Sequence, residues 1–496
     1  MDRIRTLLAA LILVTSVSTI IAHPDDKASD LQHNILFIVS EDNGPDIGCY
    51  GAPVGTPNLD RLAKEGTRFD RAFVTQAGCS PSRASFLTGT YPHQNGQIGL
   101  ATWKYSMYRE QTPNLVNDLK KSGYRTGIIG KIHVNPEDAF DFDWREGRGG
   151  NFKRENLDRY AEAALEFINA SDEPFYLQVN YPDAHAPFLP QVDGRPAEIL
   201  TADMVEPLPH IGLSNQDLKQ KTADYYNCMM RLDDCVGELM QKLKESGKYE
   251  NTLIVYIGDH GADLIRGKRT CYEGGVRIPM IISWPGHGKQ GFVYDGLVST
   301  IDLFPTFMEA SGTPVPEHLR GISLLTSLNG NSAKIREYLF TEYHVHSHHN
   351  PFPQRAVRNE RYKLIHNLVS GRENPGFAFT LSKKIDPEEM EEALKKAPKN
   401  VVEAYESMEN PPEYELYDLE KDPYEWNNLA GKKKYREIQD ELTGALHTWQ
   451  EQTLDPMRDK DLALRLFNDV METNLEKVKI PYHNYLDPCP ETKEKN

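Results

Sequence analysis

Five short apolar runs stand out in the first part of the chain, each closed by polar or turn-forming residues. They are residues 34–40 (NILFIVS), 124–129 (YRTGII), 174–180 (PFYLQVN), 252–257 (TLIVYI) and 279–284 (PMIISW). Short runs without clean polar alternation predict strands buried on both faces, as in a parallel sheet. Helical periodicity fills the intervals. Thr56-Pro57 supplies a cap and a first-turn proline, with Gly66 as the stop. Leu232, Val236, Leu239, Met240 and Leu243 recur at helical spacing within residues 222–244. Alternating strands and helices predict a doubly wound α/β domain, whose ligands bind beyond the carboxyl ends of the strands.

Those ends carry the candidate chemistry. The first run passes into Glu41-Asp42-Asn43-Gly44 and the second into Gly130-Lys131-Ile132-His133. The third leads to Asp183 and His185, and the fourth to Gly258-Asp259-His260-Gly261. One charged strand end is an ordinary loop, but four together predict a single pooled site.

Composition narrows the class. The 496 residues hold 56 Lys plus Arg against 73 Asp plus Glu, a net charge of −17, with 39% hydrophobic residues. This fits a globular chain of about two or three domains. It excludes collagen, wholesale disorder and a multi-span membrane protein, and it argues against nucleic-acid binding through bulk charge. Six cysteines are too few for a disulfide scaffold, and Cys228 and Cys235 read as core residues. Arg3 and Arg5 precede an apolar run that ends at Ala22, which predicts a signal peptide over residues 1–22. The mature protein is then expected to be exported, without stable membrane insertion. Depending on the host it would be periplasmic, secreted or lysosomal. Residues 371–412 are expected to be charged and irregular, with a solvated helix or an insertion over 383–399.

The most informative segment is Cys79-Ser80-Pro81-Ser82-Arg83-Ala84-Ser85-Phe86-Leu87-Thr88-Gly89. Pro81 suits a first helical turn and puts Cys79 at a helix N-terminus. Free N–H groups and the helix dipole there favour an anion and lower a thiol pKa. Arg83, one turn along, can offer a cation to the same anion. Alone, these residues allow a thiol nucleophile, an anion site or a buried cysteine beside a capped helix. The segment resembles the signature of type I sulfatases, Cys-x-Pro-x-Arg followed by Leu-Thr-Gly. Further likeness lies in Thr56-Pro-Asn-Leu-Asp60, Gly127-Ile-Ile-Gly-Lys131 with His133, Gly267-Lys268, and Glu273-Gly-Gly-Val-Arg277-Ile-Pro279. Near the C-terminus it continues in Glu415-Leu-Tyr-Asp-Leu-Glu-Lys-Asp-Pro423.

The resemblance implies an alkaline-phosphatase-like sulfatase sandwich over residues 32–370, with a large mixed, mostly parallel sheet flanked by helices. A smaller C-terminal α+β domain with an antiparallel sheet would occupy residues 371–496. It implies that a dedicated maturation enzyme oxidises Cys79 to formylglycine. It also implies Ca2+, or Mg2+, held by Glu41, Asp42, Asp259 and His260, with hard oxygen ligands suited to either ion. Glu41 stands where the family has Asp, and His260 where Asn is usual. Imidazole is a less natural calcium ligand, so His260 is expected as a ligand or near-ligand. Arg83, Lys131 and Lys268 match residues that grip the sulfate and the hydrated aldehyde. His133 matches the base that deprotonates the second hydroxyl, and His185 the acid that protonates the leaving group. Histidine suits both tasks, because its pKa lies near working pH.

Within the family, His93-Gln-Asn-Gly96, His133-Val134, Arg355-Ala-Val-Arg358, Lys363-Leu-Ile-His-Asn-Leu368 and Asp455-Pro456 resemble heparan N-sulfatases. Those enzymes remove sulfate from a glucosamine nitrogen. Asp183, His346 and Arg355 are the expected substrate contacts. Lys268 and residues 273–279 instead follow the general sulfatase pattern. That leaves an O-sulfatase of 6-O-sulfated sugars or aryl esters open. From other classes, a phosphodiesterase or a non-catalytic binder of sulfated glycans also remains. The run His344-Val-His-Ser-His-His349 reads as a substrate-facing or surface loop rather than a second metal site. The expected partners are a sulfated oligosaccharide and the maturation enzyme.

Overall fold

A computed structural model describes residues 32–147, 149–472 and 484–487. The expected signal peptide lies outside the described residues. The described residues from 33 onward form one compact unit. No helix among the described residues is long and apolar enough to cross a membrane.

Nine strands make the large sheet: β1 (Asn34–Ser40), β2 (Thr67–Phe73), β3 (Arg125–Ile129), β4 (Trp144–Glu146), β5 (Phe175–Tyr181), β6 (Thr252–Gly258), β7 (Arg277–Ile278), β8 (Met280–Ser283) and β9 (Phe292–Ser299). Their order is β4-β3-β5-β1-β6-β8-β2-β7, with β9 on β2. The run from β4 to β6 is parallel. β1, β5 and β6 are buried throughout. Along β1, Ile35, Phe37 and Val39 enter one apolar core, while Leu36 and Ile38 enter another. Alternation across a strand therefore feeds both faces of the sheet, which is why the sequence shows no polar stripe there. Each such residue contributes about 1.5–3 kcal/mol by burial.

The fifth apolar run becomes β8, which pairs antiparallel with β6 and β2. This corrects the parallel assignment. Between β6 and β8 the chain forms only the short helix Glu273–Val276 and the two-residue β7, so no crossover helix returns it in the same direction. An apolar run records burial on two faces and not strand direction.

Helix Pro57–Glu65 starts after Thr56 and stops at Gly66, at the predicted bounds, but Thr56 Oγ1 makes no cap bond and instead accepts from Gly48 N at 2.8 Å. The long helix Gln216–Glu245 begins earlier than its apolar stripe, because the Asn215 side chain caps it by accepting from Leu218 N. Cys228 and Cys235 on it are buried and unbridged.

The second sheet is antiparallel, in chain order: β10 (Leu339–Tyr343), β11 (Gln354–Arg358), β12 (Tyr362–Asn367) and β13 (Tyr414–Asp418). Helix Arg436–Gln452 covers it, packing Leu442, Leu446 and Trp449 with Val357, Leu364 and Leu416. The expected division at residue 370 falls after β12, within this sheet. The region 371–412 is not irregular. It forms helices Pro375–Lys384, Pro387–Lys396 and Lys399–Glu409. Met390 and Ala393, then Val401, Ala404, Tyr405 and Met408, are buried at helical spacing beneath the charged positions. Pro387 and Pro398 divide what composition reads as one helix.

Candidate active site

Every residue of helix Cys79–Thr88 is buried. Gly78 precedes it in an extended conformation. Pro81 sits in the first turn, where its missing N–H costs nothing. Gly89 ends it in the left-handed region, its N–H bonded to Ser85 O at 2.8 Å. Three hydroxyl side chains of the helix find partners inside. Ser80 Oγ accepts from Ala101 N at 2.9 Å, Thr88 Oγ1 donates to Ala84 O at 2.7 Å, and Ser85 Oγ accepts from Thr75 Oγ1 at 2.7 Å. These bonds fix the helix within the core and hold Cys79 at its start.

Four strand ends converge on that residue. Cys79 Sγ lies 3.3 Å from both Lys268 Nζ and His260 Nε2, and 3.8 Å from Asp42 Oδ1. Lys268 Nζ donates to both Asp42 oxygens at 3.0 and 3.1 Å. Lys131 Nζ donates to Glu41 Oε2 at 2.6 Å. Arg83 Nε donates to Asp259 Oδ2 at 3.0 Å. The ligand atoms of Glu41, Cys79 and His185 lie within 4.8 Å of one another. Gly130 makes the turn after β3 at φ +81, where a Cβ would meet Asn180 O at 2.5 Å. Asp42 and His133 also hold positive φ, at 51° and 59°. Such strained backbone concentrates at functional sites.

The charges tune one another. Burial would raise the Cys79 thiol, but Lys268, Lys131 and His260 outweigh it and hold the pKa well below the ordinary value. Burial would lower His260, yet Asp259, Asp42 and Cys79 raise it to about 9. Burial, with Lys131 beside it, lowers His133. Burial would lower His185, but Asp42, Cys79 and Glu41 together raise it. Glu41, Asp42 and Asp259 are at most 1% exposed, and the negative charge of Asp259 and Asp42, with Cys79, favours a proton on His260. A hard divalent cation answers the same demand, so the donor set fits Ca2+ or Mg2+ through its three carboxylates.

A cavity of about 360 Å³ opens on Cys79, Lys131, His133, His185, Lys268 and His346. Arg83, Asp42, Asp259 and His260 lie behind its wall, fully buried. Arg83 also donates to Lys131 O at 3.0 Å and Asn180 Oδ1 at 2.8 Å, so it braces two site residues instead of facing the cavity. His133 Nε2 is 2.7 Å from Thr102 Oγ1, while its Nδ1 is buried without a hydrogen bond. His346 Nδ1 is likewise unpaired. His185 Nδ1 bonds Ala186 O at 2.6 Å. A larger cavity, about 550 Å³, is lined by Arg71, Glu273, Arg358 and Glu360, whose charges pair among themselves, and holds none of the expected residues.

Two expected substrate contacts lie elsewhere. Asp183 is 2% exposed, with Arg231 bound to both oxygens at 2.8 Å and Arg154 to Oδ1 at 2.9 Å. Arg355 is fully buried and grips Asp455 through two bonds of 2.8 Å. Its Nη2 is also 3.0 Å from His344 Nε2, and His344 Nδ1 is 3.1 Å from Gln76 Oε1. Gln76 in turn donates to Ile98 O and Val345 O, which fixes the segment entering Cys79 beside the one carrying His346. Within the histidine run, only His346 lines the cavity, while His348 packs on Trp103. Thr102, Trp103, Phe152 and Asn180 join the site without having been expected there. Asn180 ends a predicted strand and was within reach, but the other three lie in loops without periodic signal.

Removing Asp455 would take the two-bond partner from the buried Arg355 guanidinium and leave Glu342, 3.6 Å from its Nε, as its remaining acid. Asp455→Ala is expected to cost about 3–5 kcal/mol of stability, seen as a lower denaturant midpoint. Burial would raise the Asp455 carboxyl, but Arg355 and His93 hold it well below the usual range. A depressed carboxyl stabilises the fold above its unfolded pKa of about 4, and that share is lost as pH falls below it. Between neutral pH and about pH 4 the variant should be weaker by a constant amount. In more acidic solution the two should converge.

A family model described as Sulfatase matches residues 33–313. A second, described as N-sulphoglucosamine sulphohydrolase, C-terminal, matches residues 258–409. The N-sulphoglucosamine sulphohydrolase of Homo sapiens is 29% identical over 499 residues, covering 91% of this chain and 95% of that protein. An N-acetylglucosamine-6-O-sulfatase of Bacteroides thetaiotaomicron is 25% identical, covering 86% and 88%. Arylsulfatase A of Homo sapiens is 31% identical, covering 62% and 70%. Among solved structures, a protein in complex with its substrate D-glucosamine-2-N,6-O-disulfate superposes with a TM-score of 0.64 at 22% identity. That match covers 86% of this chain and all of the other, and it shows the shared fold. With the sulfatase model spanning more than half of its length, the chain belongs to the sulfatase family, hydrolases of sulfuric esters and sulfamates.

Proposed function

We propose that this chain removes the sulfate from the nitrogen of a terminal glucosamine in heparan-type glycans, acting as an exported enzyme. The observation that carries the chemistry is the setting of Cys79, at a buried helix N-terminus within 3.3 Å of Lys268 and His260. The choice of nitrogen is supported by the C-terminal model over residues 258–409. Position 79 would carry formylglycine, made from Cys79 by a maturation enzyme, and its hydrate would supply one hydroxyl for attack on sulfur and a second for release. Glu41, Asp42 and Asp259, with His260 adjoining, would hold calcium or magnesium, which would supply positive charge to the anionic oxygens.

The chain's own groups do the rest. Lys131 and Lys268 line the cavity and bind the sulfate oxygens. The helix N-terminus adds N–H donors and a favourable dipole. His185, raised towards its protonated form, gives a proton to the departing nitrogen. His133, kept neutral by burial and Lys131, takes a proton through its unpaired Nδ1. Thr102 fixes that ring through Nε2. His133→Ala is therefore expected to lower kcat by about 10²–10⁴-fold, read by sulfate release under saturating substrate.

One observation favours a second reading. Lys268 contacts both Asp42 and Cys79 in the manner of the general sulfatase motif, and an O-sulfatase is among the relatives. Sulfate release from N-, 6-O- and 2-O-sulfated glucosamine saccharides separates the two. Release from the N-sulfated sugar supports the proposal. Release from O-sulfated sugars alone replaces it with the second reading.

A further inference from the structure

Two aromatic side chains line the Cys79 cavity and take no part in the chemistry above. Phe152 is 47% exposed, in a loop of small and polar residues. Its ring lies 4.7 Å from that of His185, and Lys131 Nζ is 5.8 Å from its centroid. A phenylalanine left this open adds little to the core, yet it sits against two residues that face the substrate. Trp103 ends the short turn Ala101–Trp103. Its ring meets His348 edge-on at 4.3 Å, and His348 is only 5% exposed, so a buried group holds the indole in place. The adjacent Thr102 bonds His133, so one turn carries both an aromatic wall and a tie to the site.

Lysines and a helix N-terminus recognise a sulfate but nothing of the molecule that bears it. A pyranose ring offers what they leave unread, a polar rim around two apolar C–H faces. An aromatic face against such a surface gives apolar contact while ordering only two side-chain torsions. We propose that Phe152 and Trp103 are the specificity-determining surface of this site, gripping the pyranose ring next to the sulfate. The substrate class is then a sulfated pyranoside and not the sulfate of a small flexible alcohol. This rests on the reading of the cavity as a sulfated-glycan site.

The test is equilibrium binding by calorimetry in a Cys79→Ala background, where no turnover intervenes. The probes are N-sulfoglucosamine and inorganic sulfate, which has no ring. The sugar is expected to bind at least about tenfold more tightly than sulfate. Phe152→Leu and Trp103→Leu, which keep bulk but lose the aromatic face, should erase most of that advantage and leave sulfate affinity unchanged. Phe152→Tyr should retain it. Equal affinities for sugar and sulfate would overturn the inference. So would variants that weaken both probes alike, since the rings would then be acting through Lys131 and His185. Sulfate release by the unmutated protein is measured in parallel. Sugar binding that depends on the rings, without release from any sulfated sugar, would sink the proposed function and leave this inference standing.

Discussion

Replacing Cys79 with alanine is expected to reduce sulfate release by at least about 10⁴-fold, the scale of losing a catalytic nucleophile. Lys268, His260 and Asp42 all converge on Sγ, and the helix beginning at this residue is buried along its length. Alanine removes the reacting atom but leaves Lys268 paired with Asp42 and Arg83 paired with Asp259. The fold should therefore survive, with an unfolding midpoint close to that of the unmutated protein. Cys79→Ser sharpens the test. A serine hydroxyl can take up sulfate but lacks a second hydroxyl to expel it. The expected result is at most one turnover and a protein mass increased by a trapped sulfate. Sustained release from either variant would refute the role given to position 79.

Asp183→Ala is expected to have the largest effect on stability. Arg154 and Arg231 are fully buried and share this one carboxylate. Its removal leaves two guanidiniums in the core without an acid. Breaking a buried pair costs about 3–5 kcal/mol. A whole domain is stable by about 5–15 kcal/mol. Asp183 also accepts from Glu41 N through its backbone oxygen at 3.0 Å, tying the His185 loop to the end of β1. The variant should accumulate in insoluble form or unfold at much lower denaturant. A soluble Asp183→Ala protein of normal stability but raised KM would return the residue to the role of a substrate contact.

The same two acid–arginine groups mark where the sequence stops being legible. Asp183 and Arg355 belong to motifs that resemble an N-sulfatase, so they read as substrate contacts. Their real partners, Arg231 and Asp455, are distant in sequence, and nothing local marks the pairing. The central strands were legible because β1, β5 and β6 are apolar on both faces, and the pooled site followed from what stands at their ends. Helix Cys79–Thr88 was legible from Pro81 and Gly89, although its total burial was hidden by Ser80, Arg83 and Ser85. Direction failed for β8, whose pattern records burial alone. Charge concealed the helices between residues 375 and 409, where a few buried positions on each suffice to pack it. Trp103 and Phe152 sit in loops, where a side chain's use depends on what the fold brings beside it.

The central claim is that position 79 is the reacting group of a sulfatase. Mass spectrometry of the tryptic peptide spanning residues 72–83, from protein made in its native host, tests it most directly. An aldehyde in place of the Cys79 thiol is the predicted result. An intact thiol, open to alkylation throughout an otherwise folded sample, would contradict the account.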